Sequence, residues 1–203
     1  MKVFPVILAL AAALALNTAH ATVVTFEGDA SGARANGFVS GGVKFSDTLD
    51  SDLSIYRGLP AECGTAANAC LAVFGDDTSG LRMDFDADYT SLALDFGNDN
   101  PGFIGADGLA LLRVYMNDVL VGESALTVNL DDIMNQTVSY SGAAFNSATF
   151  FYTDVNKNPV NLIEVVDNIN YGAAASDVPE PSSIALLGLA LGGIALARRN
   201  RKI

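Results

Sequence analysis

From Leu81 to Tyr89 the chain alternates without a break. Leu81, Met83, Phe85, Ala87 and Tyr89 are apolar, and Arg82, Asp84, Asp86 and Asp88 between them are charged. In an extended chain successive side chains point to opposite faces, so this segment buries one face and leaves the other in water. A helix would scatter the same nine residues around its circumference. Leu92, Leu94 and Phe96 repeat the pattern a few residues on.

Other segments agree with a strand reading. Val23 to Phe26 opens the series, and Phe38 to Phe45 is interrupted by Gly41-Gly42, a turn or bulge. Leu109 to Met116 and Val119 to Leu126 flank Asn117-Asp118, the composition of a two-residue hairpin turn. Thr137 to Tyr140, Ala148 to Tyr152 and Leu162 to Tyr171 complete the set. Only Asp131 to Gln136 suggests a helical turn. Short strands separated by Gly, Asn and Asp predict an all-β, antiparallel β-sandwich, jelly-roll-like, over residues 22–172.

The two ends have different compositions. Lys2, an apolar run from Val3 to Leu16 and the small-x-small triplet Ala19-His20-Ala21 read as a signal peptide over residues 1–21. Residues 173–178 form a small, polar linker. Pro179, Glu180 and Pro181 follow, then 16 uncharged residues from Ser182 to Ala197, then Arg198, Arg199, Arg201 and Lys202. As a helix the apolar run, with Ile184, Leu187 and Leu191, reaches about 24 Å, short of a hydrocarbon core of about 30 Å. Arg198 and Arg199 would hold its end at the cytoplasmic face as a stop-transfer signal.

This tripartite tail, Pro-Glu-Pro then apolar helix then basic cluster over residues 179–203, resembles the PEP-CTERM sorting signal of Gram-negative bacteria. The resemblance implies export across the inner membrane and recognition by an exosortase, a membrane-embedded transpeptidase. Cleavage near Pro179–Pro181 would give an extracellular or surface-attached ectodomain, with membrane contact only transient. Bacteria with such proteins typically make exopolysaccharide and biofilm matrix. The alternative is a surface protein that keeps its C-terminal membrane anchor.

Charge and composition narrow the chemistry. The whole chain carries 11 Lys+Arg and 23 Asp+Glu, a net charge of −12. So acidic a protein disfavours nucleic acid as a partner. The one histidine is His20, inside the expected signal peptide. A mature chain without histidine has no Ser-His-Asp or Cys-His nucleophile and no His-ligated transition metal. No glycine-rich phosphate loop is present. Cys63 and Cys70, in an exported protein, are expected to form a disulfide. Paired carboxylates of a glycoside hydrolase are the enzymatic alternative, but no pair stands out among scattered acids.

Oxygen-rich loops also suit calcium. Asp84, Asp86 and Asp88 have EF-hand-like spacing, but Tyr89 stands where that loop needs glycine, so they read as a solvated strand face. Asn98-Asp99-Asn100-Pro101-Gly102 reads first as a turn. The domain ends are similar to those of carbohydrate-binding-module jelly rolls, and this resemblance implies a structural calcium between Glu27 and Asp167. Tyr56 with Arg57, and Tyr152, are candidate aromatics for stacking on sugar. These readings together describe a non-enzymatic extracellular-matrix protein that binds exopolysaccharide with calcium.

Overall fold

The computed structural model describes residues 21–172, apart from 60, 65–67 and 76. The expected signal peptide up to residue 20, the 173–178 linker and the sorting tail lie outside the described residues. The described residues form eleven strands: β1 (Thr22–Val24), β2 (Gly32–Arg34), β3 (Phe38–Ser40), β4 (Val43–Asp47), β5 (Leu53–Arg57), β6 (Ala69–Val73), β7 (Leu81–Gly97), β8 (Leu109–Met116), β9 (Val119–Thr127), β10 (Gln136–Thr153) and β11 (Glu164–Gly172). Every strand pairing among them is antiparallel.

Two long strands generate the sandwich. β7 has 17 residues and β10 has 18. Residues 91–96 of β7 pair with 136–141 of β10, and 81–84 with 147–150. Between these stretches the register shifts at Ser141/Phe145 and again at Phe145/Ser147. Unpaired residues in a ladder bend it and sharpen its twist, so both strands leave one layer and enter the other. One layer reads β2-β5-β6-β11-β7-β10, with β1 along β11. The second reads β3-β4-β7-β10-β8-β9.

The core lies between the layers. Phe96 of the first meets Phe150 and Tyr152 of the second, with ring centroids 5.7 and 6.0 Å apart. Tyr171 of the first meets Phe85 of the second at 5.0 Å. Phe26 packs edge-on against Phe45 at 5.4 Å. Each such ring contributes roughly 1.5–3 kcal/mol by leaving water. Cys63 and Cys70 are joined by a disulfide, with Cα atoms 5.4 Å apart, packed with buried Ala72 and Val165. Closing so short a loop stabilises by about 2–3 kcal/mol.

Several expectations hold in detail. Gly41 and Gly42 have φ of 55° and 85° and turn β3 into β4. Asn117 and Asp118 have φ of 51° and 63°, the two left-handed residues of a type I′ hairpin turn between β8 and β9. Three corrections are needed. Residues 81–89 and 92–96 belong to one bent strand, as do 137–140 and 148–152. Asp131 to Gln136 forms no helical turn, since Leu130 and Asp132 sit at φ of 62° and 60°, outside the right-handed helical region. Tyr152 is fully buried and no candidate for stacking on sugar.

Candidate functional site

On the second layer, alternate residues of β4, β7, β10, β8 and β9 face away from the core. Cross-strand register lines them up in two rows: Lys44, Asp84, Ser147, Tyr115 and Leu120, then Ser46, Arg82, Thr149, Arg113 and Glu123. The alternation that buries Met83 and Leu81 therefore points Arg82 and Asp84 outward.

Ion pairs organise this face. Arg82 Nη2 lies 2.8 Å from Asp84 Oδ1 and 2.8 Å from Asp118 Oδ1, and Lys44 Nζ lies 3.1 Å from Asp84 Oδ2. Arg113 Nε is 3.3 Å from Glu123 Oε2, and Lys157 pairs with the other Glu123 oxygen. Burial pushes the Asp84 carboxyl up, but Arg82 and Lys44 outweigh it and hold it below the ordinary carboxylate range. Lys157, and after it Arg113, hold Glu123 down despite some burial. Four of the six cations between residues 22 and 172 lie in these pairs with three acids. This face is thus locally balanced in an otherwise acidic domain.

A shallow depression of about 280 Å³ opens among Lys44, Arg82, Asp84, Asn117, Asn146 and Ser147. Asn146 Nδ2 donates to Asn117 Oδ1 at 3.0 Å, and its Oδ1 accepts the Asn117 N–H at 3.0 Å, so the β8–β9 turn forms one rim. The Ser147 hydroxyl is buried and has no hydrogen-bond partner. Tyr115, half-buried beside it, shares a 3.3 Å hydrogen bond with Thr149 Oγ1. The sequence reading missed Tyr115, although its place beside the charged Arg113 in an alternating strand was a usable signal.

The other sugar-stacking candidate, Tyr56, is half-buried and stacked on Phe74 at 4.9 Å. Arg57 is 3.1 Å from Glu27 Oε2. Asp86 and Asp88 stand in water on the β7 face. Asp99 is buried, and its two oxygens accept the Leu130 and Asp132 N–H groups at 2.7 Å each, a structural use of the 98–102 turn.

β1 runs beside β11 and brings the chain after it toward Asp167. Asp167 is buried with Oδ1 unpartnered. Burial first, then the charges of Glu27 and Asp95, raise its carboxyl to about 7. Glu27 has both oxygens engaged: Oε1 accepts the Ala69 N–H at 2.8 Å and Oε2 pairs with Arg57. Asp167 therefore offers one open oxygen to a cation, and Glu27 offers one only after Arg57 releases it.

Comparison with known proteins adds the sorting class. Residues 177–202 match the family model described as the PEP-CTERM protein-sorting motif. That motif marks an exported protein, sorted to the surface or exterior of a Gram-negative bacterium, and implies processing by an exosortase. No curated protein matches the chain. Among solved structures it is similar to the CBM22-1–GH10 modules of endo-1,4-beta-D-xylanase 10B from Clostridium thermocellum, complexed with xylohexaose, at 12% identity and TM-score 0.44, covering 77% of this chain and 29% of that one. It is also similar to a point mutant of CBM29-2, a family 29 carbohydrate-binding module, complexed with mannohexaose, at 13% identity and TM-score 0.45, covering 76% and 92%. A further family 29 module matches at 11% identity and TM-score 0.41, covering 82% and 97%. The sandwich assignment rests on the strand pairing and inter-layer packing described above.

Proposed function

We propose that this is a non-enzymatic surface or extracellular-matrix protein, delivered by the exosortase pathway, that binds exopolysaccharide through the outer face of β4, β7, β10, β8 and β9. The observation that carries the reading is the depression around Ser147, where a buried, unpartnered hydroxyl stands among Arg82, Asp84, Lys44 and two amides. Sugar hydroxyls both donate and accept, and planar charged and amide groups at fixed spacing satisfy both roles. Tyr115 adds an aromatic edge beside them.

Calcium belongs to the same reading. An acidic domain repels an acidic polysaccharide unless a cation lies between them. The structural calcium expected at Glu27 and Asp167 fits the open Asp167 oxygen, and requires Arg57 to leave Glu27. Against an enzyme on this face stands the ion pairing of its acids: cations hold Asp84 and Glu123 below the ordinary carboxylate range, which suits neither as a proton donor.

The test is retention of the full chain on exopolysaccharide-bearing beads, with calcium and with chelator. Retention that falls with chelator supports the reading. Retention indifferent to both removes the calcium bridge, and no retention removes the glycan. Mass spectrometry of the mature C-terminus tests delivery separately: an intact tail through Arg198 to Ile203 would show an anchored protein rather than a sorted one.

A further inference from the structure

At one end of the sandwich β4 runs out into β5 and β6 into β7, and acids gather there. Asp47 is the last residue of β4, and Asp50 and Asp52 lie on the loop to β5. One carboxylate oxygen from each falls within 4.8 Å of the other two. Asp47 is only 5% exposed. Its Oδ1 accepts the Leu49 N–H at 2.9 Å, while its Oδ2 is buried with no partner. Asp52 Oδ1 is buried and unpartnered in the same way.

Asn36 fixes the loop. Its Oδ1 accepts the Asp47 N–H at 2.7 Å, and its Nδ2 reaches the carbonyls of Asp47 and Asp50. Asp77, on the β6–β7 connection, brings a fourth carboxylate to the same end, since a Cβ on Gly75 would meet both Asp52 Oδ2 and Asp77 Oδ1. Ion pairs among the described residues engage Glu27, Asp84, Asp118 and Glu123 instead. Buried carboxylates crowded without a cation are costly, and the penalty is relieved by a proton or a metal ion.

We propose that Asp47, Asp50 and Asp52 bind one calcium ion, which ties the β4–β5 loop across this end of the sandwich. Calcium sits about 2.3–2.6 Å from each oxygen ligand, so oxygens around it lie up to about 5 Å apart, matching the observed cluster. Its irregular shell tolerates three carboxylates from one short loop, with water completing the coordination, where magnesium demands a near-ideal octahedron. Gly75 keeps the approach clear, since a Cβ there would lie 2.8 Å from Asp52 Oδ2. The ligands differ from Glu27 and Asp167, and no glycan is involved, so this site stands or falls apart from the proposed glycan face.

The experiment is calcium titration of the full chain in detergent after chelator treatment, read by calorimetry and by melting temperature. Calcium should bind and raise the melting temperature. Asp52→Asn and Asp50→Asn should each weaken binding at least about tenfold. Asp50 is exposed, so the Asp50→Asn variant folds even if the buried site tolerates change poorly. Asp107→Asn, at an exposed acid on the β7–β8 connection, should leave this binding intact. Absence of calcium binding overturns the proposal. So does binding that survives Asp50→Asn and Asp52→Asn unchanged, or that Asp107→Asn weakens to the same extent.

Discussion

The Tyr171 hydroxyl donates to the Gly41 carbonyl at 2.7 Å, joining the last strand to the β3–β4 turn across 130 residues of sequence. Tyr171 also packs against Phe85 and Tyr89, so one side chain ties β11 to the bend of β7 and to the turn of the opposite layer. Replacing Tyr171 with Phe keeps the rings and removes the hydroxyl's hydrogen bonds, to the Gly41 carbonyl and with the Thr22 side chain. We expect a loss of about 1 kcal/mol, a drop in melting temperature of roughly 2–4 °C. Gly41→Ala should cost more, because its Cβ would lie 2.6 Å from Val24 Cγ2. Thermal denaturation of the full chain measures both.

Asp99 determines the path of the β9–β10 connection. Its buried carboxylate takes two backbone N–H groups from residues at left-handed φ. Asp99→Ala strands both donors and should cost about 3–6 kcal/mol, since each bond to a charged group is worth roughly 1.5–3 kcal/mol. Hydrogen exchange at Leu130 and Asp132 should quicken in step. Unchanged protection there would refute the role.

Much of this architecture is legible in the sequence, for specific reasons. The charged alternation of 81–89 fixes which face of β7 is wet, and Asn117-Asp118 marks the β8–β9 turn by composition alone. β6 escapes notice because Ala69–Val73 is buried on both faces and shows no period. Around Tyr152, apolar residues occupy both phases (Phe150, Phe151, Tyr152), so periodicity cannot tell core from surface. Leu130 at positive φ is equally invisible, because a backbone held by a distant Asp99 leaves no local mark. The same holds for Asp47, Asp50 and Asp52: their spacing is ordinary loop composition, and only the packing of the sandwich end buries two of their oxygens. The Cys63–Cys70 bridge, by contrast, followed from cysteine count and expected export.

Glu164 should give the fold a pH dependence. It is 1% exposed in β11, accepting the Tyr152 N–H through Oε1 at 3.3 Å. Burial raises its carboxyl well above the ordinary value, and the charges of Asp47 and Asp77 push the same way against the hydrogen bonds it accepts. An acid whose folded pKa is raised binds more protons in the native state. Its contribution is therefore complete below the unfolded value near 4.5 and is lost as pH rises toward the folded one, at about 1.4 kcal/mol per pH unit. Asp52 and Asp167, both raised to about 7, add slopes of the same sign. Melting temperature in chelator should fall from pH 5 to pH 8, and Glu164→Gln, which keeps an oxygen for Tyr152 N–H, should make the fall shallower. An identical slope in the variant would show that Glu164 does not titrate in this range.

Ser147 separates stability from binding on the proposed glycan face. The residue is 3% exposed, and its buried hydroxyl has no partner within the protein. Removing an unpaired buried hydroxyl is neutral or stabilising, so Ser147→Ala should melt no lower than the wild type. If the hydroxyl bonds a sugar, the same change weakens polysaccharide retention between about two- and tenfold, the worth of one hydrogen bond. Arg82→Gln should weaken retention further while costing under about 1 kcal/mol of stability, since Arg82 joins Asp84 and Asp118 at a partly exposed surface. A melting temperature that holds while retention falls in both variants places the sugar at this depression. Retention equal to wild type in both would move it elsewhere on the sandwich.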